Sequence, residues 1–297
     1  MSPSRKLIIT GLVLVQVLLL VGMVAVLRPV SFGGLNAPFW PGIFRIGGIE
    51  VREPIEEKTV SIGEGPEVII RNDVGAIRVE AGQTGTVVIS GERFARGFTR
   101  EKARERIRDV VPRIRTADNR VEIEGLVSAR NRQQNRIDLV VQVPEESSVT
   151  VDAKVGRVRV GGLDGNLSVD AVMGEVRVNG FSGNLTVNAA MGRIDVVNAV
   201  ISERLRLNAD MGSIEFAGTP GKNNRLDAGM GSVDVALPPD TALDLDVQVG
   251  MGSFRSDLPL DATQTERSYR GKLGRGEPIG RMEIDAGMGS VWIRARS

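Results

Sequence analysis

The chain has 297 residues, of which 41% are hydrophobic and 25% charged, so it is long enough and apolar enough to fold around a sizeable core. It contains no cysteine and no histidine, which excludes disulfides, zinc sites with those ligands and catalysis by a thiol or an imidazole. The net charge is only +1 and no nucleic-acid-binding motif is present, so we expect no nucleic-acid partner.

The first element in chain order is an uncharged apolar segment of 21 residues, Leu7 to Leu27. A helix of this length spans roughly 30 Å, the thickness of the bilayer core, so the segment predicts a single transmembrane helix. Arg5 and Lys6 precede it, which favours a cytoplasmic N-terminus and a body outside the cytoplasm. The alternative is a cleaved signal peptide, whose apolar core is usually shorter, about 7–15 residues. Residues 1–28 are therefore predicted to be a cytoplasmic stub and membrane anchor.

Residues 29–48 are rich in glycine and proline and carry Phe32, Phe39, Trp40 and Phe44. Aromatic rings favour the bilayer interface, so we predict a juxtamembrane linker near the headgroups. The alternative is a linker whose rings pack on the folded domain. That domain is predicted to occupy residues 49–297.

Residues 93–136 hold thirteen basic and six acidic side chains, whereas residues 137–260 hold ten and seventeen. The first region predicts a basic cap or insertion at the start of the domain. Within it, Thr99 to Val111 reads as a short helix with Thr99 as its N-cap and with Glu101–Arg104 and Glu105–Arg108 pairs. Strands are predicted around the helix at residues 87–89, 121–126 and 137–143. The arginines form either a solvated surface or a site for a polyanion.

A repeat dominates the rest of the chain. Aspartate or asparagine, alanine, a variable residue, methionine and glycine recur, as in Asp170 to Gly174, and two apolar residues follow at alternate positions. The later corner glycines are 18, 18, 20, 19, 21 and 37 residues apart. The predicted corners are Gly75, Gly156, Gly174, Gly192, Gly212, Gly231, Gly252 and Gly289.

Apolar and polar residues alternate before each corner, which is typical of a half-buried strand, and the alternation changes phase at the glycine. Glycine suits such a bend because it tolerates a positive φ angle. One repeat cannot bury its own apolar face, but stacked repeats can. We therefore predict an all-β fold: a single-chain, parallel β-solenoid or β-helix, right-handed by the crossover rule, with an N-terminal transmembrane helix and one short helix in an N-terminal cap.

The residue before most corners is methionine. By strand alternation it shares the inward face with Leu167, Val169 and Ala171, so we predict a core position, and Val155 at the same place indicates that packing suffices. Stacked thioethers could alternatively bind a soft metal such as Cu(I). We expect no metal or other cofactor. The methionines concerned are Met173, Met191, Met211, Met230, Met251 and Met288.

The first residue of the repeated motif is aspartate or asparagine and is predicted to face outward, and we call this row the acidic ladder. It predicts side chains that hydrogen-bond along the stack, since mixing aspartate with asparagine relieves charge repulsion; a calcium site is the alternative. The ladder consists of Asp152, Asp170, Asn188, Asn208 and Asp227.

Residues 256–281 interrupt the last two repeats and predict a projecting loop insertion that could bind a ligand. The loop carries Arg267, Tyr269, Arg270, Lys272 and Arg275. The final repeat runs almost to Ser297, which leaves little sequence to cover that end of the stack. Self-association through the solenoid ends is therefore a hypothesis.

Val143-Pro144, the segment Val149 to Val158 and the turn Gly161 to Gly165 resemble the bacterial putative-adhesin family, over about residues 68–294. This resemblance implies a glycine-cornered β-solenoid in the cell envelope, and it supplies no catalytic residue.

The predicted function is accordingly that of a non-catalytic, single-pass cell-membrane protein, a putative adhesin or an envelope scaffold or sensor accessory. Its partners would be the membrane and either a cell-wall or surface polymer or a membrane signalling protein. The alternative is a β-helix enzyme acting on polysaccharide, with the acidic ladder beside Arg157, Arg159 and Arg177 as its cleft.

Overall fold

The computed structural model describes residues 48–127 and 134–296. Within them the fold is all-β with one short helix, as predicted. The helix is α1 (Arg100–Ile107). The strands are β1 (Ile49–Ser61), β2 (Glu67–Val74), β3 (Ile77–Ala81), β4 (Thr86–Gly97), β5 (Arg113–Ala117), β6 (Arg120–Gly125), β7 (Asn135–Val143), β8 (Ser148–Val155), β9 (Val158–Gly161), β10 (Asp164–Met173), β11 (Val176–Met191), β12 (Ile194–Met211), β13 (Ile214–Thr219), β14 (Asn223–Met230), β15 (Val233–Leu237), β16 (Leu243–Met251), β17 (Phe254–Ser256), β18 (Leu260–Gln264), β19 (Ser268–Leu273), β20 (Arg281–Met288) and β21 (Val291–Ala295).

Successive repeats pair in parallel, with equivalent residues as direct partners. Asp170 lies opposite Asp152 on one side and Asn188 on the other. The segments after the corners pair in the same way, Val176 opposite Val158 and Ile194. Each repeat therefore contributes two strands separated by its glycine, and like residues stack over like.

The sheet is nevertheless mixed, which corrects the prediction of a purely parallel stack. Antiparallel pairs join β1 to β4, β4 to β7 and β5 to β6 near one end. They join β16 to β19 and β18 to β19 near the other. These end strands cover edges that the repeats would otherwise leave unpaired.

The order of strands along the stack departs from the order in the chain. The last repeat, β20 and β21, lies between β14–β15 and β16–β17. Likewise β2 lies between β6 and β8, and β3 between β7 and β9. The expectation that the C-terminal repeat ends the stack is wrong, because its strands have parallel partners on both sides.

The segment at 256–281 is a hairpin rather than a projecting loop. Its strands β18 and β19 are antiparallel, and β19 pairs with β16 from Leu243 to Gln248. The hairpin thus covers the end of the stack that the sequence analysis left open.

The core lies between the two strands of each repeat and is aliphatic. In one repeat Leu167, Val169 and Ala171 face Val176 and Val178, and each of the five is at most 4% exposed. An alanine is buried next to the corner in six repeats and lines the narrow end of the interior: Ala153, Ala171, Ala189, Ala209, Ala228 and Ala286.

The methionines are not in this core, so their predicted inward orientation is wrong. Five of them are 42–62% exposed, and Met191 is half-buried. Strict alternation stops one residue before the methionine: Ala171 is buried, but Val172 and Met173 are both exposed. The bend begins immediately after the buried alanine, and it turns the methionine outward where strict alternation would place it inside.

The N-terminal region folds as predicted in outline. Thr99 Oγ1 accepts a hydrogen bond of 3.3 Å from the Lys102 backbone N–H, and the helix buries Ala103 and Ile107. The predicted strands at 87–89, 121–126 and 137–143 lie in β4, β6 and β7. The ion pair on the helix is Lys102–Glu105, at 2.7 Å, rather than either predicted pair.

The predicted membrane span at 7–27 and all but the last residue of the predicted linker at 29–48 lie outside the described residues. No helix within 48–127 or 134–296 is long and apolar enough to cross a bilayer. Residues from Gly48 onward fall within one compact unit.

Candidate ligand-binding face

The eight predicted corners all have the geometry that the sequence implied. Their φ angles are +130° to +158°, a region that L side chains rarely adopt. A Cβ on Gly174 would overlap the carbonyl oxygen of Gly156, and one on Gly192 would overlap that of Gly174. At these bends Gly156 N donates to Met173 O at 2.9 Å and Gly174 N to Met191 O at 2.9 Å. The glycines thus let adjacent bends approach closely enough for their backbones to hydrogen-bond.

The strand before each corner presents outward side chains that form three rows across the stack. In β10 these are Asn166, Ser168 and Asp170, which alternate with the buried core residues. We call the surface made by seven such strands the polar face. Its first row is Ser148, Asn166, Asn184, Arg204, Asn223, Arg281 and Asp244; its second is Thr150, Ser168, Thr186, Arg206, Arg225, Glu283 and Asp246; its third is Asp152, Asp170, Asn188, Asn208, Asp227, Asp285 and Gln248.

Every member of these rows is polar. Six strand intervals of about 4.8 Å make the face roughly 29 Å long. Local alternation supplies the outward direction of each side chain, and the in-register pairing aligns the rows.

One end of the polar face, over β8, β10 and β11, is mostly uncharged. Asn184 Nδ2 donates to Asn166 Oδ1 at 3.1 Å, and Asn166 Nδ2 donates to Ser148 Oγ at 3.4 Å. In the third row Asn188 Nδ2 donates to Asp170 Oδ1 at 2.7 Å, which is the predicted hydrogen bond along the stack. Such amide and hydroxyl groups keep spare donors and acceptors for a ligand.

The acidic ladder does not assemble a calcium site in the part of the chain that the structure describes. No group of three or more Asp, Glu, His or Cys side chains there could hold a metal ion. The row itself explains this, because each strand adds a single outward side chain to it, and two asparagines, Asn188 and Asn208, separate Asp170 from Asp227.

The middle of the polar face is rich in arginine. Arg225 Nε donates to Asp227 Oδ2 at 2.8 Å, and this hydrogen bond raises the pKa of the guanidinium, which stays charged. Arg281 pairs with Glu283 at 2.7 Å. Arg204 and Arg206 have no ion pair within the described residues, so their charges are available to an anion.

The other end of the polar face is closed by the hairpin. Asp246 is 7% exposed, and its Oδ2 accepts from Arg270 Nε at 3.0 Å and Nη2 at 2.7 Å. Tyr269 packs on Phe254, with ring centroids 4.7 Å apart. Two of the residues predicted to bind a ligand from a loop therefore fasten the hairpin to the stack. Arg267, Lys272 and Arg275 have no ion pair within the described ranges.

The arginines of the alternative, enzymatic cleft lie elsewhere. Arg157 pairs with Glu175 at 2.9 Å, and both residues lie in the bends after the corner glycines. Arg177 pairs with Asp195 at 2.7 Å, and both lie on the strands that follow those bends. In the described residues they make no ion pair with the acidic ladder, which lies before the corners. The structure does not bring together the groups that this reading required.

The basic region at 93–136 is partly neutralised. Arg93 pairs with Glu53 at 2.7 Å and Arg96 with Glu50 at 3.0 Å. Burial raises the pKa of Glu50, but hydrogen bonds from Arg96 and Arg52 and the charge of Arg136 outweigh it and lower the pKa overall. Five arginines lack an ion pair within the described part of the chain: Arg100, Arg104, Arg106, Arg108 and Arg113. Phe98 beside them is 90% exposed.

The third row of the polar face was predicted from the sequence, and the other two rows were not. The signal for them was available, because Asn166 and Ser168 alternate with apolar residues just as Asp170 does. Aligning the repeats at every outward position would have shown all three rows. Nothing in the sequence indicated that the strand carrying Arg281, Glu283 and Asp285 would lie between β14 and β16.

No family model matches the sequence, and no curated protein matches it. Among solved structures, the chain is similar to a putative cell adhesion protein from Clostridium sporogenes, with 14% identity over 82% of this chain and 100% of that one and a TM-score of 0.36. It is also similar to a putative adhesin from Bacteroides fragilis, with 13% identity, 81% and 97% coverage and a TM-score of 0.28. A putative adhesin from Parabacteroides distasonis has 13% identity, 83% and 97% coverage and a TM-score of 0.29. These structural neighbours bear the family name that the sequence resembles, and the likeness is too loose to carry an argument about function.

Proposed function

We propose that the chain is a non-catalytic, membrane-anchored protein of the cell envelope whose domain outside the cytoplasm is a right-handed β-solenoid that binds an extended, acidic polysaccharide. The polar face is the observation that supports this proposal. It offers polar side chains at a regular spacing in three straight rows, which suits a repeating polymer better than a small molecule.

Hydroxyl and amide groups such as Thr150, Ser168 and Asn184 both donate and accept hydrogen bonds, as sugar hydroxyls do. Arg204 and Arg206 add two guanidinium groups in the middle of the face that have no ion pair within the described residues, and such groups favour carboxylate or sulfate groups. Single contacts on an open surface are weak, but a polymer that spans several strands makes many at once and gains avidity.

The anchoring rests on the apolar segment Leu7 to Leu27 and on Arg5 and Lys6 before it. Extraction of native membranes at alkaline pH should leave the full chain in the membrane fraction. A protease added outside intact cells should digest the domain. Release of the chain by alkali, or protection of the domain in intact cells, would refute the anchoring or its orientation.

Arg206→Ala tests the binding face, with Arg159→Ala as the matched control. Both are outward strand arginines without an ion pair in the described residues, but Arg159 lies on the strand after the corner. Binding of the full chain in nanodiscs to uronic-acid and neutral glycans would be measured by interferometry. Loss of one charge-assisted contact should weaken binding to the acidic glycan about tenfold.

Arg159→Ala should bind as the unmodified chain does. Equal effects of the two substitutions, or no binding to any glycan, would exclude this face as the binding site. Product formation from a charged glycan that disappears in Asp170→Ala would instead support the enzymatic alternative.

A further inference from the structure

Six methionine thioethers form an unbroken row along the corner of the stack. Direct pairing places them in the order Met173, Met191, Met211, Met230, Met288 and Met251. Met288 is last in sequence but lies between Met230 and Met251, so the hairpin insertion in the chain does not interrupt the row. We call this row the methionine ladder.

Packing does not account for the ladder. Five of its side chains are 42–62% exposed, whereas Met282 in the core is fully buried. Valine occupies the same position on the two preceding strands, as Val74 and Val155, and the bend there is the same. The corner therefore does not require a thioether, and yet six consecutive strands carry one. Six of the nine methionines of the chain lie in this row.

On four of the six strands the residue before the methionine is small and leaves one side of the sulfur atom uncovered. The residue before the methionine is Ala190, Gly229, Gly287 or Gly250 there, so no long side chain shields the sulfur atoms from that side. Val172 and Asp210 occupy the other two positions.

We propose that the methionine ladder binds a soft monovalent metal ion, Cu(I), between thioethers of adjacent strands. Thioethers are soft ligands that select Cu(I) over hard cations. A metal–sulfur bond is about 2.3 Å long, so two sulfur atoms on opposite sides of one ion lie about 4.6 Å apart. The strand spacing of about 4.8 Å sets the backbones of neighbouring methionines at nearly that separation, and the flexible methionine side chain can then bring two sulfur atoms to one ion.

Thioethers are neutral ligands, so binding to them releases no proton, unlike binding to cysteine or histidine. The chain contains neither of those residues, and the ladder is therefore the one concentration of soft ligands among the described residues. This inference is independent of the polysaccharide proposal, because the ladder lies at the corner and not on the polar face.

The test is a titration of the full chain in nanodiscs, labelled with ¹³C at the methionine methyl groups, with silver nitrate as an air-stable probe. The ladder methyl resonances should shift and saturate at about three ions per chain, one for each pair of thioethers. The buried Met282 resonance should not move and serves as an internal control. An anaerobic Cu(I) titration against a competing chelator then checks the proposed metal itself.

Three ions on six thioethers put Met211 and Met230 in the central site, so the double variant Met211→Leu/Met230→Leu keeps the apolar volume and removes both sulfur atoms of that site. It should lower the number of bound ions from about three to about two, and Met282→Leu should leave that number unchanged. Thermal unfolding of each variant establishes that it is folded. Unshifted ladder resonances, shifts confined to Met1 and Met23, or identical binding by the double variant would each overturn the proposal.

Discussion

A single glycine in each repeat decides how closely the strands can approach at the bend. Gly192 has a φ of +154°, and any Cβ there would overlap the Gly174 carbonyl oxygen. The neighbour cannot retreat, because Gly174 N is bonded to Met191 O within the same bend. Both the positive φ and the phase change that reveals it are local properties, so the sequence predicted them.

We expect Gly192→Ala to destabilise the domain by about 3 kcal/mol or more, since it combines backbone strain with a clash against a neighbouring backbone. Gly161→Ala is the control: Gly161 has no positive φ, and its Cβ would lie 3.5 Å from Asn179 O, an ordinary contact. Its effect should be within about 0.5 kcal/mol. Denaturant unfolding of the full chain followed by circular dichroism would measure both. Similar midpoints for the two variants would show that the corners tolerate a side chain.

The methionines show where local reasoning fails at this scale. Alternation from Leu167 predicts Met173 inside, but the bend begins after Ala171 and turns Met173 outward. The position of the bend depends on the width of the interior, which the facing strand sets. No pattern within one strand contains that information.

At the scale of elements, the two ends of the stack are completed by strands that do not belong to the regular repeat. The hairpin of β18 and β19 pairs with β16 and is fastened by Arg270 on Asp246. At the opposite end the outer strand β1 carries charged residues and Pro54, which discourage pairing with another chain.

Replacing residues 259–274 by a short glycine-serine linker should make the protein associate. The substitution exposes the backbone of β16 from Leu243 to Gln248, and a free strand edge pairs readily with a second copy. Sedimentation velocity of the full chain in detergent should show a monomer for the unmodified protein and a concentration-dependent dimer for the variant.

The double substitution Glu266→Ser/Arg267→Ser, in the hairpin turn, keeps both strands and should leave the protein monomeric. Circular dichroism would verify that the shortened chain retains its strands. A shortened, folded protein that stays monomeric at high concentration would contradict the protective role of the hairpin.

At the scale of the whole molecule, the described chain starts at an end that carries several arginines without an ion pair in the described residues. Ile49 pairs with Gly97, so β1 begins beside the exposed Phe98 and the helix with Arg100, Arg104 and Arg108. We predict that this end of the domain approaches an anionic bilayer. Guanidinium groups near an anionic surface gain about 1 kcal/mol each, and an exposed phenyl ring favours the interface.

A nitroxide label tests this orientation without background, because the chain has no native cysteine. A label at Phe98→Cys in phosphatidylglycerol-containing nanodiscs should be more accessible to oxygen than to a polar nickel reagent. The control label is placed at Ile279→Cys, because the Ile279 side chain is 55% exposed. A label there should be more accessible to the nickel reagent than to oxygen. Water-like accessibility at both positions would show that the helix does not approach the membrane.

The sequence by itself determined the all-β fold, the corner glycines, the in-register stacking of like residues and the capped helix at Thr99. All of these follow from alternation, φ preferences and repeats, which are properties of neighbouring residues in the chain. Only the tertiary structure decided that β20 lies between β14 and β16, that the hairpin covers β16, and that the methionines face outward. Those features depend on which backbone edges need partners and on how wide the interior is, and both are set by strands far apart in sequence.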